Sequence, residues 1–240
     1  MNIKNLIMNL LYPPQCVFCG TRLLPDTKLW VCHDCANNVQ YCMTYKRCER
    51  CGKPVPKENG GLCNECYTRR LHTTKITSAL VYVDLAKDGV IRFKNRNNSA
   101  NAYTLSHYIA TMVKTDFKNI EFDTVVSVPA RKKNTSKTGY DQAGKLAYSV
   151  ALHLGISYSK NVLEQIRPIK KQSSMKYYER LENAKGNFRV KRPEKTKNKT
   201  VLLVDDVRTS GATINECARV LKESGAYKVY GATLATVPAF

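Results

Sequence analysis

Two adjacent carboxylates, Asp205 and Asp206, stand between an apolar run and a small, hydroxyl-rich turn in the stretch Val201-Leu-Leu-Val-Asp-Asp-Val-Arg-Thr-Ser-Gly-Ala-Thr213. Paired acids suit neighbouring hydroxyls on a sugar ring. The turn that follows, Thr209, Ser210, Gly211, Ala212 and Thr213, leads into a segment of helical character from Ile214 to Ser224. Such a turn presents backbone N–H groups and the positive end of a helix dipole to an anion. Gly211 allows a backbone geometry and a close approach that a β-carbon hinders. The order of residues describes a buried strand that delivers two acids to a loop at its carboxyl end, where ligands of open α/β sheets bind. Hydroxyl-binding acids beside a phosphate cradle point to a phosphorylated sugar.

A second chemistry resides in sulfur. Nine of the ten cysteines precede residue 67, and eight of them form the pairs Cys16/Cys19, Cys32/Cys35, Cys48/Cys51 and Cys63/Cys66, each with two residues between the thiols. A CxxC turn aims both sulfurs at one point, and two such turns give the closed tetrahedral Cys₄ set that suits structural Zn²⁺. The unit recurs, so the front of the chain reads as a double zinc ribbon with two structural Zn²⁺ ions. The near-equal lengths between pairs favour joining neighbours, the first pair with the second and the third with the fourth. The interleaved arrangement, first with third and second with fourth, stays open. Zinc would supply folding energy to a segment poor in apolar core residues. Cys42 and Cys217 fall outside the pairs, Cys217 as a small core residue. His33 lies between Cys32 and Cys35 and reads as a solvated residue of the turn.

The elements that must position these groups follow from apolar periodicity. Strands are expected at Ile76 to Asp84, Asp123 to Pro129, Val162 to Ile166 and Tyr227 to Val237, besides the run that starts at Val201. Helices are expected at Asp88 to Asn95, Ser99 to Lys114, Tyr140 to Leu154 and Met175 to Lys185. This alternation argues for an α/β fold with a central, mostly parallel sheet flanked by helices. The composition changes after Cys66, which places a Cys-rich ribbon domain at 1–71 and an α/β domain at 72–240. Two basic segments follow strand ends. The first, from Pro129 to Gln142, carries Arg131, Lys132, Lys133 and Lys137 and suits a diphosphate. The second, Arg167 to Phe188, could close over a site and exclude water.

The net charge of +20 favours polyanionic partners. No stretch approaches the roughly 18 apolar residues of a membrane span. Met1 to Leu11 reads as a short helix or docking segment, with no cleavage site after it. A reducing cytoplasm is therefore the expected compartment, which disfavours a disulfide scaffold for the cysteines.

The stretch 201–213 resembles the PRPP-binding signature of type I phosphoribosyltransferases, where PRPP is 5-phosphoribosyl 1-diphosphate. Together with the cysteine pairs, the chain from residue 12 to 237 is similar to the ComF/GntX family: a double zinc ribbon followed by a type I phosphoribosyltransferase fold. The family string Arg-Gly-Phe-Asn-Gln-Ala is matched by Thr138-Gly139-Tyr140-Asp141-Gln142-Ala143. A later Gln, Arg, Asn, Gly-x-Phe pattern is matched by Gln172, Arg180, Asn183 and Gly186-Asn187-Phe188. Thr138 and Asp141 depart from the pattern, removing a cation and adding an anion where diphosphate should sit. The resemblance implies that Asp205 and Asp206 hold the ribose hydroxyls. It implies that Val207, Arg208, Thr209, Ser210, Gly211, Ala212 and Thr213 wrap the 5′-phosphate, and that Ala130, Arg131, Lys132 and Lys137 meet a diphosphate carried with Mg²⁺. A catalytic role would fall to Asp205, Asp206, Arg131 and Lys132. The resemblance also implies a role in natural competence, with single-stranded DNA and a helicase-like competence protein as partners. Two rival readings are an active phosphoribosyltransferase on an unidentified base or amine, and a zinc-ribbon nucleic-acid adaptor with a vestigial transferase fold.

Overall fold

Apolar strands buried on both faces need helices above and below them, and the computed structural model arranges the chain in that way. It describes residues 13–56, 61–95, 98–129, 141–167 and 177–239. The strands are β1 (Ile76–Val81), β2 (Thr124–Ser127), β3 (Leu163–Gln165), β4 (Phe188–Val190), β5 (Thr200–Arg208) and β6 (Lys228–Thr236). The helices are α1 (His33–Asn38), α2 (Asn64–Thr68), α3 (Asp84–Asn95), α4 (Ser99–Asp116), α5 (Gln142–Leu154), α6 (Tyr177–Ala184) and α7 (Ala212–Glu223). Four strands form one parallel sheet in the order β1-β6-β5-β2. β3 and β4 pair antiparallel in a separate two-stranded ribbon, with Gln165 opposite Phe188. The expected strand at Val162 to Ile166 thus lies outside the parallel sheet and pairs with β4, which the sequence presents only as the end of a basic segment.

The period-2 alternation of β5 divides the interior. Leu202 and Val204 pack with Leu105 and Ile109 of α4 and with Leu146 and Val150 of α5. Val201 and Leu203 face the other way, into Ile214, Cys217 and Leu221 of α7. Cys217 is fully buried, as a small core residue should be, and burial pushes its thiol well above the ordinary value. Each large aliphatic side chain buried here contributes about 1.5–3 kcal/mol. Helix starts are capped locally: the Asn98 side chain accepts from the Ala100 N–H at 2.8 Å, and Asp141 accepts from the Gly144 N–H at 2.9 Å. Asp141, a departure from the family string, is thus a helix N-cap.

The two ribbons repeat one local design. Cys16 and Cys48 each accept a bond from the glycine four residues on, Gly20 and Gly52, both at 2.9 Å. The second pair of each ribbon then sits at the start of a short helix, α1 after Cys32 and α2 after Cys63. The first ribbon docks on α3 and α4. Arg92 donates to the carbonyls of Phe18 (3.0 Å) and Cys19 (2.9 Å), and the Trp30 N–H donates to Thr104 Oγ1 (3.0 Å). The chain leaving the first ribbon runs along the free side of β1. There Tyr41 pairs antiparallel with Leu80, and the Val81 N–H donates to the Gln40 carbonyl at 2.9 Å. The second ribbon continues the same edge, with the Ile76 N–H donating to the Arg50 carbonyl at 2.8 Å.

Arg47 clamps this arrangement with two bonds to Asp116 at the end of α4, at 2.6 and 2.9 Å, and Thr77 Oγ1 donates to the same carboxylate at 2.5 Å. Burial alone would raise the Asp116 pKa, but the bonds from Arg47 and Thr77 outweigh it and hold the carboxyl below its ordinary value. A depressed carboxyl contributes stability above its unfolded pKa, about 3.9, and loses it as pH falls through the lower folded value. Asp116→Ala is expected to cost about 3–5 kcal/mol at pH 7, because it strands the Arg47 guanidinium. Urea denaturation at pH 7 and pH 3 checks this. The gap between wild type and variant should narrow in acid, and a constant gap would remove the ion pair as its cause.

Candidate functional site

β5 is the next-to-edge strand, between β6 and β2, and its carboxyl end carries the acids. The strand continues through Arg208, so Asp205 and Asp206 lie within its carboxyl-terminal part and not in the loop beyond. The Asp205 Oδ1 accepts the Asp206 N–H at 2.8 Å, which fixes one carboxylate relative to the other. Asp206 is partly buried and binds Lys94 Nζ through Oδ2 at 2.8 Å. Lys94 comes from the last turn of α3. Burial would lower the pKa of its ammonium, but Asp206 and Asp205 outweigh that effect and hold it above the usual value. The Val128 N–H donates to the Val204 carbonyl at 2.9 Å, so the end of β2 sits beside Asp205.

The phosphate-type turn follows at once. Gly211 adopts φ +69°, the left-handed region, as the residue before α7. A β-carbon there would also lie 2.9 Å from Arg208 Nε. Ser210 Oγ accepts the Ala212 N–H at 3.4 Å, and the Asn215 N–H donates to the Gly211 carbonyl at 3.0 Å. The N–H groups that open α7 belong to Ala212, Thr213 and Ile214, and a helix leaves its first N–H groups without partners of its own. Thr209 and Thr213 are partly exposed beside them. The Arg208 side chain takes another direction: it is wholly buried and donates from Nη2 to Glu65 Oε2 at 3.1 Å.

Ala130, Arg131, Lys132 and Lys137, with Thr138, Gly139, Tyr140 and Gln172, lie outside the described residues, as does Met1 to Leu11. Of the remaining family positions, Arg180 and Asn183 fall on α6, and Phe188 is buried in β4. The Gly186 N–H donates to Glu216 Oε1 on α7 at 2.7 Å, which ties this segment to the helix of the phosphate-type turn.

The eight paired cysteines form two four-sulfur groups. Cys16, Cys19, Cys32 and Cys35 converge within 4.8 Å of one another, and so do Cys48, Cys51, Cys63 and Cys66. Neighbouring pairs have therefore joined, not interleaved pairs. A tetrahedron with Zn–S bonds of 2.3 Å has edges of ~3.8 Å. The distances Cys19 Sγ to Cys32 Sγ and Cys51 Sγ to Cys63 Sγ are both 3.7 Å. All-thiolate donors at this spacing fit Zn²⁺. His33 stays outside the first group, exposed and 3.9 Å from Asp34. Cys42 is buried beside Arg47 and Asp116, and burial pushes its thiol up to about 12.

Residues 7–67 match the double zinc ribbon domain family, and residues 104–239 match the phosphoribosyl transferase domain family. The chain belongs to the phosphoribosyl transferase domain family. This phosphoribosyltransferase-domain protein is 22% identical to Competence protein F of Haemophilus influenzae over 222 residues, covering 90% of this chain and 93% of that protein. It is 29% identical to Competence protein ComFC of Bacillus subtilis over 214 residues, covering 85% and 81%. It is 25% identical to DNA utilization protein YhgH of Salmonella typhimurium over 202 residues, covering 83% and 87%. Among solved structures, an adenine phosphoribosyltransferase aligns with TM-score 0.40 and 14% identity over 62% of this chain and 74% of that one. The Bacillus subtilis glutamine PRPP amidotransferase aligns with TM-score 0.38 and 21% identity, over 60% of this chain and 27% of that one.

Two residues of the phosphoribosyltransferase-domain site escape sequence reading. Lys94 reads only as the polar end of a helix, yet it sits on Asp206. Arg69, in the tail of the second ribbon, donates from Nη2 to the Ser210 carbonyl at 3.2 Å. Basic side chains recur throughout the sequence, so neither carries a local signal that singles it out. Among the described residues no helix is long and apolar enough to cross a membrane.

Proposed function

We propose that this protein binds PRPP, or a closely related sugar phosphate, with Mg²⁺ at the carboxyl end of β5, and that it assists the handling of single-stranded DNA in natural competence. The observation that carries the ligand is the sequence of groups in space: two fixed carboxylates, then a left-handed Gly211, then the start of α7. Asp205 and Asp206 hold the ribose hydroxyls, and the N–H groups of the 209–213 turn take the 5′-phosphate. Arg131, Lys132 and Lys137 then meet the diphosphate, and Mg²⁺, when bound with it, would neutralise part of its charge. Lys94 releases Asp206 to the incoming hydroxyl and transfers its charge toward the phosphates. If the bound sugar reacts, the same acids steady positive charge at C1 while Arg131, Lys132 and Lys137 take the departing diphosphate. That reading makes the protein a transferase on a base or amine.

The DNA role follows the names of the relatives and the charge of +20. One candidate surface is a largely apolar depression of about 410 Å³ whose lining includes Tyr103, Tyr148, Leu152, Lys28 and Lys145. Tyr103 and Tyr148 are roughly half exposed. Cations beside exposed aromatic rings suit the backbone and stacked bases of a single strand. Two thiol-rich zinc sites fit a protein that works in the cytoplasm.

Calorimetry with PRPP and Mg²⁺ tests the ligand, and single-stranded DNA titrated across salt concentrations tests the partner. We expect binding in the first and a steep decline of affinity with salt in the second. Absence of PRPP binding would leave the zinc-ribbon adaptor as the surviving reading. Release of pyrophosphate with one member of a panel of bases and amines would establish the transferase.

A further inference from the structure

Arg208 is the largest of the fully buried side chains, and its cation lies between two parts of the molecule that sequence treats as separate. On one side is the second four-cysteine group. Glu65, which accepts from Arg208 Nη2, sits between the ligands Cys63 and Cys66 and also binds Lys53 Nζ at 2.7 Å, just after Cys51 and Gly52. Cys51, Cys63 and Cys66 all lie near enough to act on the guanidinium electrostatically. On the other side is the phosphate-type turn. Gly211 approaches so closely that a β-carbon would fall 2.9 Å from Arg208 Nε and 3.2 Å from Nη2. Arg69 adds a second tie between ribbon and turn through the Ser210 carbonyl.

A buried cation needs a compensating charge, because moving it out of water without one is costly. Glu65 supplies part of that charge through one bond. Nε and Nη1 of Arg208 have no hydrogen-bond partner among the described residues. Four thiolates on Zn²⁺ carry a net charge of minus two, and that centre is the other large negative charge beside the guanidinium.

We propose that Arg208 is a positioning residue that couples the second zinc ribbon to the 209–213 turn: its charge balances the Cys48/Cys51/Cys63/Cys66 zinc centre, and its guanidinium supports the turn from beneath. The ribbon then acts as a rigid base for the anion-binding loop. Loss of zinc from the second site, but not from the first, loosens that loop. The consequence for PRPP rests on the sugar-phosphate reading above; the coupling itself does not.

The experiment uses the full-length, zinc-loaded protein without any sugar phosphate. Zinc release to a chromogenic chelator reports the metal centre, and amide hydrogen–deuterium exchange over residues 205–215 reports the turn. Arg208→Met should release one of two zinc ions about tenfold faster than wild type, the lower end of what outer-shell partners contribute to metal sites. It should also speed exchange in the turn. Arg208→Lys keeps the charge but loses the planar fork. It should retain zinc near the wild-type rate and still show faster exchange. Cys19→Ser, which disrupts the first ribbon, should leave exchange in the turn unchanged. The proposal is overturned if Arg208→Met matches wild type in zinc release and exchange. It is equally overturned if Arg208→Lys matches Arg208→Met in both, or if Cys19→Ser loosens the turn as much as Arg208→Met does. If these measurements succeed while PRPP fails to bind the wild type, the ligand assignment falls and the coupling stands.

Discussion

Cys48→Ser should reduce the zinc content of the purified protein from two ions per chain to one and sharply lower its resistance to heat. The physical reason is scale. A structural zinc site contributes apparent folding free energy on the order of 10–16 kcal/mol. A typical domain has about 5–15 kcal/mol in total. The second ribbon has little else to hold it: its small cluster consists of the four cysteines and Val55, with Leu62 and Leu71 alongside. Its loss also reaches beyond the ribbon, since Arg47 next to Cys48 clamps Asp116, and Arg50 accepts the first N–H of β1. Metal analysis and a melting curve measure both effects. A Cys48→Ser protein that still held two zinc ions would remove Cys48 as a required ligand, and one that lost both would mean that the four-sulfur groups are not independent metal sites.

The second large effect concerns the acids. Asp205→Asn and Asp206→Asn should each weaken PRPP binding by roughly 10- to 100-fold, since a hydrogen bond to a charged group contributes about 1.5–3 kcal/mol. The double variant should bind beyond the range of calorimetry. The fold should persist, because neither carboxylate is a core group and both lie at a strand end. Lys94→Ala offers the contrast. Its ion pair with Asp206 is partly exposed and is given up when the ligand binds, and such pairs contribute about 0.2–1 kcal/mol, so affinity should change by no more than about fivefold. Full-affinity binding by the double Asn variant would move the ligand away from β5.

Much of this architecture is legible in the sequence, for reasons that can be named. The cysteine pairs are visible because metal geometry fixes the spacing of thiols within a turn. The sequence leaves the pairing of knuckles open, and the structure joins neighbours because each ribbon closes over its own short helix. α4 and α5 are visible because their buried residues recur at helical spacing. β5 is legible to Val204, but its extension through Arg208 is not, since charged residues at its end look like loop. The ties between ribbon and turn are invisible for another reason. Arg69 meets Ser210 across 141 residues and Arg208 meets Glu65 across 143. No local pattern encodes such a meeting. Arg208 in particular falls within the phosphate motif, whereas the structure turns its side chain toward the ribbon. Asp141 reads as an unwelcome anion near diphosphate, yet it caps α5.

The ribbon chain that runs beside β1 has a consequence for how the protein can be cut or recombined. A parallel sheet that ends in an open strand exposes a row of backbone donors and acceptors, and such a row recruits strands from other molecules. Here residues 40, 41 and 50 occupy that row. The zinc-bearing segment is therefore a guard against self-association as well as a neighbour of the site. An excised α/β half would carry an unguarded border.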